Sequence, residues 1–155
     1  MKGLSFFTTL EDLDAESKYL VHKAKEASQH SYAPYSRFHV GAALLLEDGT
    51  LVMGANQENA AYPLCMCAER VALYAAVSQF PGKTIKKMAV VAQKRGHKEL
   101  SNASSCGACR QVMLEFEARQ GSPIEIVMLE DNKWAVCSSA SILLPLSFTS
   151  SNLKD

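Results

Sequence analysis

Residues 64–70 read LCMCAER, and residues 104–111 read SSCGACRQ. The first stretch puts Cys65 and Cys67 either side of one residue, with Glu69 shortly after; the second holds a C-x-x-C pair, Cys106 and Cys109. Each motif follows a loop and opens a run of helical period. From Cys67 onward Val71, Tyr74, Ala75 and Ser78 share one face, and Pro81-Gly82 ends the run. From Cys106 the inner face is Cys109, Val112, Met113 and Phe116, with Gly121 as the expected C-cap. Two helix N-termini therefore carry thiols, and the outward-pointing N–H groups there favour the thiolate form that a metal needs.

Working outward, Asp12 or Asp14 can cap a helix running to about Ser28, with Ala15, Tyr19, Leu20, Ala24 and Ala27 on neighbouring turns. SYAPYSRF is loop, because Pro34 disfavours helix at Ala33. Phe38 to Leu46 is strand-like, Asp48-Gly49 is a hairpin turn, and Leu51 to Gly54 returns beside it. Met88 to Ala92 and Ile124 to Leu129 are the next strands, and Trp134 to Cys137 is an antiparallel partner of the latter. A short segment, SILLPLSF, closes the chain. A hairpin followed by helix–strand–helix–strand predicts a layered α/β fold with a mixed sheet, and residues 1–155 read as one domain.

Composition narrows the function. Hydrophobic residues make up 48% and charged residues 21%, ordinary for a globular protein. Sixteen Lys and Arg balance sixteen Asp and Glu, so neither an electrostatic groove for nucleic acid nor a polybasic membrane patch is expected. Lys83, Lys86 and Lys87, beside the Pro-Gly turn, read as a solvated edge. MKGLSFFTTLEDLD contains neither a secretory signal nor an anchor, which predicts a reducing cytoplasm. Five cysteines cannot all pair within one chain, and in that compartment they serve as metal ligands, catalysts or core residues.

Three readings of the cysteines compete. CGAC at a helix start resembles the redox pair of thioredoxin-like proteins. Two thiol pairs on one zinc would make a closed structural site, but Cys65 and Cys67 are one residue too close for the usual knuckle. The third reading is an open site of Cys67, Cys106 and Cys109, with Glu69 on the first helical turn beside the vacant corner. A structural site has no use for that acid, whereas a hydrolytic site needs a proton carrier, so the open site is preferred. Cys137 reads as a core residue. Arg70 and Arg110 could each donate hydrogen bonds to thiolate sulfurs.

CAER and CGACR, preceded by YAPYSRFHVGAAL and NQENAAYP, resemble the cytidine deaminases of the small, single-domain class. The resemblance runs from about Tyr32 to Phe148. It implies a three-layer α/β/α sandwich with a mixed, roughly five-stranded sheet, and zinc-dependent hydrolytic deamination of cytidine and 2′-deoxycytidine in pyrimidine salvage. It implies one zinc per chain on Cys67, Cys106 and Cys109, with Glu69 as the proton carrier. By the same resemblance Phe38 packs on the pyrimidine, and Asn56 and Glu58 hold the ribose. The Ala68 N–H meets the 2-oxo group, and the Ala60–Tyr62 backbone frames the pocket. Arg70 touches a thiolate, and Phe148 enters a neighbouring subunit's site in a homotetramer.

The chain departs from the family's pattern twice. Ser105 stands where the family usually has proline, its hydroxyl free to cap the helix instead, and Cys65 is an additional thiol that keeps a closed four-thiolate site in play. A deaminase of a related aminopyrimidine nucleoside such as blasticidin S, and a structural zinc or thiol-redox module, are the alternatives.

Overall fold

The computed structural model describes residues 2–153. Its elements in chain order are β1 (Leu4–Phe7), α1 (Ala15–Ser28), β2 (Phe38–Leu46), β3 (Leu51–Ala55), α2 (Ala68–Gln79) and β4 (Ile85–Lys94). They are followed by α3 (Gly107–Gln120), β5 (Glu125–Glu130) and β6 (Lys133–Cys137). The strands form one sheet ordered β1-β6-β5-β4-β2-β3. Among the described strands only β4 and β5 pair in parallel, and α3 is the crossover that a parallel pair requires.

Strand periodicity decides which side each helix covers. Ala43, Leu45, Ala89, Val91 and Val127 point one way and bury against Leu20, Val21 and Ala24 of α1. Ala42, Leu44, Met88, Val90, Ile126 and Met128 point the other way, against Ala72 and Leu73 of α2 and Met113 and Phe116 of α3. The result is the expected three-layer sandwich. Asp14 caps α1, its carboxylate accepting the Ser17 N–H at 2.9 Å. Gly121, at φ 70°, ends α3 in the left-handed conformation that glycine adopts without strain.

The sheet has six strands rather than five. The additional strand, β1, pairs antiparallel with β6, Leu4 opposite Cys137. LSFF is too short to show a period, and Phe6 faces outward, 54% exposed. The face of α2 also differs from a simple reading of its period. Val71, Tyr74, Ala75 and Ser78 do share a side, but Tyr74 is 46% exposed and the sheet-facing residues are Ala72, Leu73 and Ala76.

Lys87 is not a solvated edge. Its Nζ is buried beside Glu125 (2.7 Å), Asp14 (3.2 Å), Glu16 (3.4 Å) and the Ser17 hydroxyl (3.0 Å). Lys83 and Lys86 stay exposed and pair with Asp48 and Glu16. An inward-facing strand position on β4, opposite the capped end of α1, turned one of three adjacent lysines into a bolt between layers.

Candidate metal centre and active site

The N-cap residue of α2 is Cys67 and that of α3 is Cys106, both with extended backbone, and neither thiol caps its own helix. The first-turn N–H groups of both helices are thus left facing the thiols rather than satisfied by a side chain. Cys109, one turn into α3, is fully buried. The three Sγ atoms lie within 4.8 Å of one another. Cys67 to Cys106 is 3.9 Å and Cys106 to Cys109 is 3.5 Å. Thiolates on the corners of a tetrahedron at zinc's usual bond length of about 2.3 Å stand roughly 3.8 Å apart, so the cluster fits that ion. Among the described residues no other group of three or more His, Cys, Asp or Glu ligand atoms converges in this way.

Cys65 is not part of the cluster. Its Sγ accepts the Asn59 N–H at 3.2 Å and faces the Asn59 carbonyl at 3.6 Å. With only one residue between them, Cys65 and Cys67 leave the backbone in different directions, the first into the loop and the second onto the helix.

The surroundings of the cluster favour the thiolate at Cys67. The neighbouring Cys109 thiol, together with hydrogen bonds from Arg70 and Cys106, brings the Cys67 thiol down to about 5 against the opposing effect of burial. Cys109 moves the opposite way, because its thiol hydrogen bonds to Cys67 and lies buried near the Glu69 carboxyl. Arg70 donates from Nη2 to Cys67 Sγ at 3.6 Å. Arg110 does not reach a sulfur: it donates from Nε to the Ser105 carbonyl at 2.8 Å and from Nη1 to the Leu143 carbonyl at 3.1 Å. The Ser105 hydroxyl is buried and does not cap α3, whose N-cap is Cys106.

Glu69 is 4% exposed on the first turn of α2, and burial raises its carboxyl above the ordinary range. A carboxyl group poised to hold a proton in the wall of a cavity is suited to general acid–base work. The cavity, about 340 Å³, is lined by Phe38, Asn56, Glu58, Cys67, Ala68, Glu69 and Cys106, which the sequence had singled out. That volume lies within the usual range for small-molecule sites.

Asn56 and Glu58 are braced before any ligand arrives. The Asn56 side chain accepts the Val40 N–H at 2.8 Å and the Ser31 hydroxyl, and donates to the Phe38 carbonyl at 2.9 Å. Glu58 accepts the Tyr35 N–H at 2.9 Å, the Ser36 N–H at 3.3 Å and the Ser36 hydroxyl.

Three expected residues stand apart. Ala60 is exposed in the loop. Tyr62, 68% exposed, lines an outer cleft with Tyr35 that shares Ser36, Glu58 and Cys65 with the main cavity. Phe148, 59% exposed, lies on the C-terminal strap, its carbonyl held by Gln111. Conversely Val40, Val90, Ala92, Asn102 and Ser104 line the cavity without having been singled out. Val40 was accessible from the sequence as the same-face neighbour of Phe38. Val90 and Ala92 became visible only once β4 lay beside β2.

Residues 14–122 match the cytidine and deoxycytidylate deaminase zinc-binding region. A cytidine deaminase of Halalkalibacterium halodurans is 39% identical over 140 residues, covering 90% of this chain and 99% of that protein. One of Sporosarcina psychrophila is 50% identical over 97 residues, 63% of this chain and 67% of the relative. The crystal structure of cytidine deaminase from Burkholderia pseudomallei superposes with a TM-score of 0.70 at 39% identity, over 88% of this chain and all of that one.

Proposed function

The chain belongs to the cytidine and deoxycytidylate deaminase family, and from that premise we propose that it hydrolyses cytidine and 2′-deoxycytidine to uridine and 2′-deoxyuridine, releasing ammonia. The observation that carries the reading is the convergence of Cys67, Cys106 and Cys109 beside the buried Glu69, in one wall of a cavity of nucleoside size.

Zinc is the ion proposed for the three thiols, one per chain; bound there it supplies a Lewis acid able to lower the pKa of water to about 7. Arg70 and the two helix N-termini offset the negative charge of the thiolates, which would otherwise oppose that acidification. Glu69 takes a proton from the attacking water and delivers it to N3 of the ring as oxygen adds to C4. It then carries the proton of the new C4 hydroxyl to the amino group, so that the C4–N bond breaks, ammonia leaves and C4 keeps the oxygen as a carbonyl. Phe38 packs against the pyrimidine, the Ala68 N–H meets the 2-oxo group, and Asn56 and Glu58, already fixed by their own hydrogen bonds, receive the ribose hydroxyls. Because those ribose contacts are preorganised, little ordering cost falls on binding.

The whole chain acts as one domain, in a homotetramer. Leu64, Leu146 and Phe148 are exposed apolar side chains that a second copy would cover, and Phe148 lies outside its own chain's cavity, as a residue serving a neighbour's would. Ala60 and Tyr62 frame the mouth at that junction. The place of action is the cytoplasm, in pyrimidine salvage.

Replacing Glu69 by glutamine tests the mechanism. Purified Glu69→Gln should hold as much zinc as the unaltered chain and fall at least about 100-fold in kcat on cytidine, followed by ultraviolet absorbance. Turnover preserved in that variant would end the proposal. Light scattering at four times the chain mass checks the assembly.

A further inference from the structure

α3 carries two thiols of the cluster at its start and grips the C-terminal strap along its length. Gln111 Nε2 donates to the Phe148 carbonyl at 2.7 Å. Glu117 accepts the Ala140 N–H at 2.6 Å and the Ser139 hydroxyl at 2.9 Å. Both residues hold the strap, and among the described residues neither hydrogen-bonds to the loop before Cys106. Arg110 holds both: Nε takes the Ser105 carbonyl and Nη1 takes the Leu143 carbonyl. Ser105 is itself 4% exposed and directly precedes Cys106, so a shift of its carbonyl carries Cys106 Sγ with it. The donors of a guanidinium are fixed in one plane. While both bonds hold, the loop and the strap cannot move independently.

We propose that Arg110 is a positioning residue that couples the order of the C-terminal strap to the hold of Cys106 and Cys109 on the metal. The inference rests on the reading of those cysteines as zinc ligands. It gives Arg110 a task different from that of Arg70: one arginine stabilises a sulfur's charge, the other fixes where a sulfur stands. It also gives the strap, and with it Phe148, a direct mechanical link to the metal centre of its own chain.

The test uses the zinc-loaded enzyme and two measurements that need no turnover: the rate of zinc transfer to a chelating dye, and hydrogen exchange of the amides in residues 140–149. In Arg110→Met, zinc should leave roughly 10–100-fold faster, the usual effect of losing a group that supports a metal ligand. The strap amides should exchange about tenfold faster in the same variant. Arg110→Lys, with a single ammonium able to reach one carbonyl at a time, should fall between, and it carries both measurements if Arg110→Met does not fold. Gln111→Ala should speed exchange near Phe148 and leave zinc transfer as in the unaltered enzyme.

Faster exchange in Arg110→Met with zinc transfer unchanged overturns the coupling, as does the reverse. Zinc leaving faster in Gln111→Ala as well overturns the specific role of Arg110, because general loosening of the strap then suffices. If the unaltered chain holds no zinc, the proposed function falls together with this inference. If it holds zinc and both rates ignore Arg110, only the inference falls.

Discussion

Gly54 on β3 lies so close to the start of α2 that a Cβ there would stand 2.6 Å from both the Ala68 carbonyl oxygen and the Ala72 nitrogen. The thiol-bearing end of α2 is thus pressed onto the sheet through a position with no side chain. Gly41 does the same for α1, where an added Cβ would meet the Ala24 carbonyl. The layers meet the sheet through backbone, and the height of Cys67 and Glu69 above it is set by the absence of one methyl group.

Gly54→Ala should therefore destabilise the protein by roughly 1–3 kcal/mol, the usual cost of overpacking, because backbone rather than a flexible side chain has to give way. The midpoint of urea unfolding measures the loss. Zinc transfer from the same variant should be faster than from the unaltered chain, since α2 moves outward and takes Cys67 with it. An unchanged midpoint would show that α2 can shift freely.

The two cysteines of LCMCAER should separate cleanly. Cys65→Ser should retain one zinc per chain and near-unaltered turnover, because its sulfur is engaged with Asn59 and not with the cluster. Cys67→Ser should lose zinc to a dye that leaves Cys65→Ser loaded. Metal analysis of the two purified variants decides it, and zinc lost from Cys65→Ser would restore the closed four-thiolate site.

Glu117 accepts three hydrogen bonds at the join between α3, β5 and the C-terminal strap, from Ile124, Ala140 and Ser139. Glu117→Ala strands two buried backbone N–H groups. Each stranded donor costs about 1–3 kcal/mol. The expected result is a fall of several °C in the thermal midpoint, and Glu117→Gln, whose amide oxygen can still accept, should recover part of it.

Acid should weaken the bond between α1 and the sheet. Burial alone would raise Asp14, but hydrogen bonds from Ser17 and Lys87 outweigh it and lower its carboxyl to about 2. The folded value lies below the unfolded one, so the stabilising contribution is complete above the ordinary carboxylate range and fades as pH falls through about 2. Asp14→Asn keeps a capping oxygen but not the charge. Its deficit in urea midpoint relative to the unaltered chain should be present at pH 7 and shrink steadily between pH 4 and pH 2.

Lys87 sharpens the same point. Burial opposes its charge, yet Glu125 and Asp14 hold its ammonium above the ordinary range. Lys87→Met should be tolerated better than Asp14→Asn combined with Glu125→Gln, because removing the cation leaves partly exposed carboxylates that water can reach, whereas removing two of its three carboxylate partners leaves a buried ammonium with Glu16 alone. Urea midpoints of the two variants, compared at pH 7, give the order.

Much of this protein was legible in one dimension because the responsible forces are local. The periods of the two runs after Cys67 and Cys106, the Asp48-Gly49 turn and the glycine after α3 each act over a few residues, and each appears where the chain order demanded it. The chemistry was legible for a related reason: thiols at two helix starts and an acid two residues after the first of them are facts of spacing.

What the amino-acid order could not decide is where one element's side chain meets another's. Whether Lys87 is solvated depends on α1 and β5 arriving beside it. Whether Arg110 bonds sulfur or carbonyl depends on the strap returning from beyond β6. Strand β1 has too few residues to show a period and exists because β6 offers an unpaired edge. The engagement of Cys65 with Asn59 and the place of Phe148 outside the lining of its own cavity belong to the same class. Periodicity and caps follow from neighbours along the chain, whereas burial, pairing and the shape of a site follow from neighbours across it, and only the closed packing of three layers brings those together.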